Sequence, residues 1–138
     1  MDDAARDERS TIDRLMTSLR SLIEETGAGI LVVSHLRKTD NKSCPFEQGG
    51  TISMDDLRGS GSLKQLPDTI LAIERNQQTE NEDDRNVLRL RVLKCRFTGD
   101  TGLADKVQFN KKTNRLEPID PLDTPKDTQK GEEDECPF

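Results

Sequence analysis

The chain has no tryptophan and no tyrosine, and only four phenylalanines among 138 residues. A core built from this composition must be aliphatic. Long apolar runs are absent as well: none approaches the roughly 20 residues that cross a bilayer, and no charged-then-apolar leader opens the chain. No membrane association is expected. Cys44, Cys95 and Cys136 are too few, too scattered and too odd in number for a disulfide framework or a zinc knuckle, and are read as free thiols of a reducing cytosol. Hydrophobic residues make up 30% and charged residues 35%, which leaves one modest core and much solvated surface.

What is present is unevenly placed. The net charge is −6, yet from Ile119 onward seven acids face Lys126 and Lys130, so −5 of it belongs to the last twenty residues. The body, 1–118, is close to neutral. The tail, 119–138, is rich in Pro, Asp, Lys, Thr and Glu and cannot bury enough apolar area to offset its ordering entropy, so it is expected to be a disordered acidic appendage.

Ile12, Leu15, Met16, Leu19, Leu22 and Ile23 recur at three- and four-residue steps and predict an amphipathic helix, ended by Gly27 and Gly29. Ile30–Val33 is a continuous aliphatic run that suits a central strand covered on both faces, half of a βαβ unit. Arg37–Ser53 is rich in turn formers. Ser53 followed by Asp56 has the pattern of a capping box. After the break at Gly59–Gly61, Ser62–Leu66 suits a short helix. Thr69–Arg75 reads as a strand, Asn76–Asn86 as a polar connection, and "VLRLRVLKCR" as an alternating strand. "FTGDTG" turns the chain into "LADKVQFN", and "KKTN" turns it again into "RLEPI".

The segments "VVSHLRK", "DLRGSGSLKQLPDTILAIERN", "LKCRFTGDTGLA" and "FNKKTNRLEP" occur in an order and spacing that resemble the helicase domain of short-tailed phage primase–helicases. Those proteins are hexameric ring motors of the DnaB type, related to the mitochondrial Twinkle helicase. The likeness covers roughly Met16 to Pro118. It implies an α/β fold, the C-terminal half of a RecA-like ATPase core, with a helix and central strands ending in antiparallel hairpins. It also implies a replicative DNA helicase that couples NTP hydrolysis to translocation on single-stranded DNA and duplex unwinding.

The resemblance assigns roles residue by residue. His35, past the end of the aliphatic run, takes the place of a γ-phosphate sensor by this resemblance; its chemistry alone favours a capping or solvated loop histidine. Arg58, Gly59, Gly61 and Lys64 fall in a loop that contacts the DNA strand, where glycines admit phosphates to the backbone and cations neutralise them without reading sequence. Gln65 corresponds to a switch between nucleotide and DNA. Arg96, with Lys94 beside it, corresponds to an arginine finger reaching a neighbouring subunit's nucleotide, a role typically worth about 10³ to 10⁵ in rate. Arg75 and Phe109 match the positions that sandwich the base. Phe138, behind "GEEDEC", matches an aromatic anchor that docks on the replicative DNA polymerase.

The implied cofactors are ATP or dTTP with Mg²⁺. The implied partners are single-stranded DNA, identical or complementary helicase subunits in a ring, and the polymerase, all in the cytoplasm of an infected bacterium. One departure is plain. The sequence contains no G-x-x-x-x-G-K-[S/T] loop, the element that cradles nucleotide phosphates. Nor does it contain a strand ending in a metal-holding aspartate. The chain is therefore expected to be a fragment or one half of a split helicase, inactive by itself. The other reading is a non-catalytic module that docks polymerase or modulates a helicase ring.

Overall fold

A computed structural model describes residues 3–37, 44–59 and 61–119. One long helix, α1 (Asp3–Thr26), precedes a short 3₁₀ turn (Met54–Asp56) and a single helical turn, α2 (Ser62–Gln65). Strand β1 (Thr69–Arg75), a second helical turn α3 (Glu82–Arg85), and strands β2 (Val87–Cys95), β3 (Gly102–Asn110) and β4 (Arg115–Pro118) follow. The strands form one sheet in the order β1-β2-β3-β4, and every pairing is antiparallel.

Helix α1 forms where the apolar period places it. Met16 is buried, and Ile12, Leu19 and Ile23 are half-buried on the same stripe. Leu15 and Leu22, at the margin of the stripe, remain largely exposed. The helix ends as a left-handed glycine cap does: Gly27 has φ +68° and its N–H reaches the Ile23 carbonyl at 2.8 Å. The Ser53–Asp56 pair also forms, with Asp56 Oδ2 accepting from the Ser53 N–H at 2.7 Å and from its hydroxyl at 2.9 Å. It starts a 3₁₀ turn and not an α-helix.

The strand expected at Ile30–Val33 is not formed. These residues lie outside the sheet, with Leu31 91% and Val33 88% exposed. A strand exists only through a ladder, and among the described residues none pairs this run with the open outer edge of β1. The nearest pairing is a single bridge, Leu36 with Leu57. The parallel arrangement of a βαβ unit is therefore absent among the described residues. Asn76–Asn86 departs in the other direction: it contains α3, capped by Asn81, whose Oδ1 accepts from the Asp83 N–H at 3.0 Å.

The two faces of the sheet reverse the usual polarity. On β1, Ile70, Ala72 and Glu74 are buried, while Leu71 and Ile73 on the opposite face are exposed. Glu74 carries the buried face. Its carboxylate accepts from the Ile52 N–H at 2.9 Å and from Arg91 Nε at 2.6 Å, with Arg89 Nε at 3.6 Å. Arg89 and Arg91 thus share one side of β2, as their alternation requires, and that side is covered by the Cys44–Asp56 segment.

Cys95 is a free thiol, whereas Cys44 is disulfide-bonded. Three free thiols were expected. Spacing along the chain does not decide pairing, because a disulfide depends on distance in space. The acidic tail beyond Ile119, with Phe138, lies outside the described residues.

Candidate functional site

The C-terminal end of α2 gathers charge. A one-turn helix leaves its last carbonyls without intrahelical donors, and two cations from the end of β2 fill them. Lys94 Nζ donates to the Lys64 and Gln65 carbonyls, both at 2.8 Å. Arg96 Nη2 donates to the same Gln65 carbonyl at 2.9 Å. Arg96 also meets Asp68, through Nη1 to Oδ1 at 3.0 Å and through its own N–H to the Asp68 carbonyl at 2.8 Å. Asp68 is shared with α1: Arg20 Nη1 lies 3.2 Å from both carboxylate oxygens, and its Nε reaches Glu24 at 3.0 Å. Burial, and then the charge of Arg96, hold the Lys94 ammonium below the usual lysine value, while Asp68 acts in the opposite direction.

Gln65, Lys94 and Arg96, three positions singled out from the sequence, therefore converge on one point. Asp68 and Arg20 complete the cluster and were not foreseen. Arg20 had a legible signal, since a cation four residues after Met16 and three before Ile23 interrupts the apolar stripe of α1. Asp68, behind Pro67 in a turn, had none.

The loop before α2 is held differently. Arg58 faces Glu8 at 3.4 Å with both side chains exposed, and the half-buried Lys64 of α2 faces the exposed Asp55 at 2.8 Å. The hydrogen bond from Lys64 keeps the Asp55 carboxyl below its ordinary range. The two glycines are not equivalent. Gly59 has φ +119°, and a Cβ there would meet Leu63 Cδ1 at 2.9 Å and Ile12 Cδ1 at 3.1 Å. It is the point where α1 and α2 close together. Gly61 is exposed, and a Cβ would meet only Gln65 Nε2, at 4.0 Å. His35 is exposed and joined to this loop main chain to main chain: its carbonyl accepts from the Arg58 N–H at 3.4 Å, and Arg37 N–H reaches the Asp56 carbonyl at 2.7 Å. Among the described residues no hydrogen bond or ion pair joins His35 to Lys94 or Arg96.

Arg75 and Phe109 meet at a third point. Arg75 Nε donates to the Arg85 carbonyl at 2.6 Å, its Nη2 lies 3.5 Å from Asn86 Oδ1, and the Phe109 N–H donates to the Asn86 carbonyl at 2.8 Å. Asn86 is buried and fastens itself to α3 through Nδ2 to the Glu82 carbonyl at 2.9 Å. This corner stands at the far end of β1 from the α2 cluster. At about 3.3 Å per residue, a seven-residue strand separates the two by roughly 20 Å.

The model of the DnaB-like helicase C-terminal domain matches residues 1–118, and the chain belongs to that family. Among curated proteins it is similar to the DNA helicase/primase of Enterobacteria phage T3, with 51% identity over 112 residues. The match covers 81% of this chain and 19% of the relative, so the chain spans about a fifth of that protein's length.

Proposed function

We propose that this chain forms part of a replicative DNA helicase of the phage primase–helicase kind. In that role it supplies the groups that act on a nucleotide held elsewhere. The observation that carries the proposal is the meeting of Gln65, Lys94 and Arg96 at the end of α2, directly behind the Arg58–Gly61 loop. A cation pair fixed to the helix that follows a basic loop provides a mechanical link between DNA at the loop and phosphate at Arg96. The guanidinium is planar and permanently charged, which suits charge spread over γ-phosphoryl oxygens.

The roughly 20 Å between the α2 cluster and the Arg75–Phe109 corner supports a division of labour. Arg75 and the ring of Phe109 hold one nucleotide's base, and Arg96 with Lys94 reaches the phosphates of another, across a ring interface. His35 reports the state of the γ-phosphate to the DNA loop through its backbone bond to Arg58. Arg58, Lys64 and the exposed Gly61 track the single strand. The loop has no aromatic residue to stack bases, so its grip is electrostatic and falls with salt.

The surrounding core is RecA-like on this reading, and the ring is hexameric. The nucleotide is ATP or dTTP. Its Mg²⁺ would be held by the polypeptide that carries the phosphate loop, since the described residues contain no group of three or more His, Cys, Asp or Glu side chains able to hold a metal. The chain lacks the phosphate loop, so alone it would hydrolyse nothing. The acidic tail ending in Phe138 would add a docking point for the replicative polymerase, with charge steering the encounter and one aromatic anchoring it. The setting would be the cytoplasm of an infected bacterium; no helix among the described residues is long and apolar enough to cross a membrane.

The test is co-assembly of the 138-residue chain with a polypeptide of the same family that carries the phosphate loop. NTP turnover that appears only in the assembly and rises with single-stranded DNA is the expected result. Turnover by the chain alone, or an assembly indifferent to DNA, would refute it.

A further inference from the structure

Two of the groups around Arg96 have no part in the reading given above, and they point to how that arginine is aimed. Asp68 stands between two guanidiniums. Its Oδ1 accepts from Arg96 Nη1 at 3.0 Å, and both its oxygens lie 3.2 Å from Arg20 Nη1. The Gln65 carbonyl takes Arg96 Nη2 at 2.9 Å. Two acceptors at an angle fix the plane of a guanidinium as one cannot, because a planar fork held at both terminal nitrogens has no free rotation left. The side chain nevertheless remains 47% exposed. It has five N–H donors, of which the bonds to Asp68 and Gln65 engage two. Arg20, Lys94 and Arg96 against Asp68 and Glu24 leave one net positive charge, so the surface favours an anion.

We propose that Asp68 is a positioning residue for Arg96, and that Arg20 of α1 acts through Asp68 to hold the guanidinium in a phosphate-ready orientation. The proposal rests on the reading of Arg96 as a phosphate-facing cation and adds what aims it. Among the described residues no hydrogen bond or ion pair joins Arg20 to Arg96; both bind the Asp68 carboxylate, which couples them. Three elements then converge on one side chain: α1 through Arg20 and Asp68, α2 through the Gln65 carbonyl, and β2, whose last residue directly precedes Arg96. A displacement of the loop ahead of α2 moves the Gln65 carbonyl and re-aims the fork.

The experiment is ¹⁵N NMR of the arginine side chains in the 138-residue chain, with inorganic tripolyphosphate as the anion. In the wild-type chain, Arg96 should show slowed rotation about Cζ–Nε, seen as separate Nη resonances. Asp68→Asn should collapse them to one averaged signal while backbone amide shifts away from the cluster stay in place. Asp68→Glu should keep them separate, and Arg20→Ala should speed the rotation without touching Arg96 directly. A merely structural aspartate would leave the affinity of Arg96 for tripolyphosphate unchanged in Asp68→Asn, whereas a positioning one requires that it weaken. Free rotation of Arg96 in the wild type, unchanged hindrance in Asp68→Asn, or no effect of Arg20→Ala would overturn the proposal. If Asp68→Asn does not fold, the wild-type and Arg20→Ala measurements still decide it. Tripolyphosphate is expected to shift the Arg96 Nε resonance. Absence of that shift would refute the phosphate-facing reading of Arg96, while the rotation data would still judge Asp68.

Discussion

The fold contains the same device twice, a carboxylate between two arginines, in two environments. Glu74 lies between Arg89 and Arg91 with no exposed side-chain surface, and the two arginines are 9% and 18% exposed. Asp68 lies between Arg20 and Arg96, where the corresponding values are 34%, 32% and 47%. Desolvation makes the first set rigid and costly to break. The second keeps its geometry through hydrogen bonds while solvent still reaches the cations. The first therefore holds the sheet against the Cys44–Asp56 segment, and the second is free to meet a ligand.

Glu74→Ala should break this contrast most sharply. It leaves Arg89, Arg91 and the Ile52 N–H without their shared acceptor. A loss of about 3–5 kcal/mol is expected, read as a lowered urea midpoint; a loss below about 1 kcal/mol would place Glu74 outside the structural core. Next comes the glycine pair. Gly59→Ala combines a positive φ with a 2.9 Å approach to Leu63, for an expected cost of about 1–3 kcal/mol. Gly61 has φ −59° and open space, so Gly61→Ala should be neutral or stabilise by up to about 1 kcal/mol. Equal effects at the two sites would remove the distinction between a packing glycine and a loop glycine.

Asp68→Asn should cost less than about 1 kcal/mol of stability, because the pairs it breaks are exposed to solvent. An unfolding midpoint shifted as far as that of Glu74→Ala would show the two carboxylates to be equivalent. The smallest effect concerns Asp55. Its carboxyl is held below the ordinary range by the hydrogen bond from Lys64, so it binds its proton less readily in the folded chain than in the unfolded one. The stability it contributes is present at neutral pH and is lost as pH falls through its lowered value. In an acid titration of unfolding, Asp55→Asn should flatten that slope slightly. A steeper slope in the variant would contradict the assignment.

Much of this was legible in the sequence because it is local. The period of α1, the Gly27 cap, the Ser53–Asp56 pair, the strand at Thr69–Arg75 and the two hairpins each depend on residues a few positions apart. Ile30–Val33 misled because aliphatic composition specifies a strand only when a neighbouring ladder exists, and that is a long-range fact. Alternation places Arg89 and Arg91 on one side of β2, but their burial depends on Glu74 from another strand. At the candidate site, Gln65, Lys94 and Arg96 were named through family motifs, and Arg75 with Phe109 likewise. Asp68 and Asn86 were not, because their importance lies in partners 28 residues and 11 residues away along the chain.

The most direct test of the account is DNA-stimulated NTP turnover by the chain assembled with a phosphate-loop-bearing polypeptide, compared with the same assembly carrying Arg96→Ala. Arg96 acting on a nucleotide held by another polypeptide predicts a fall in turnover of about 10³-fold or more with assembly intact. Turnover within a few-fold of the unsubstituted assembly would contradict it.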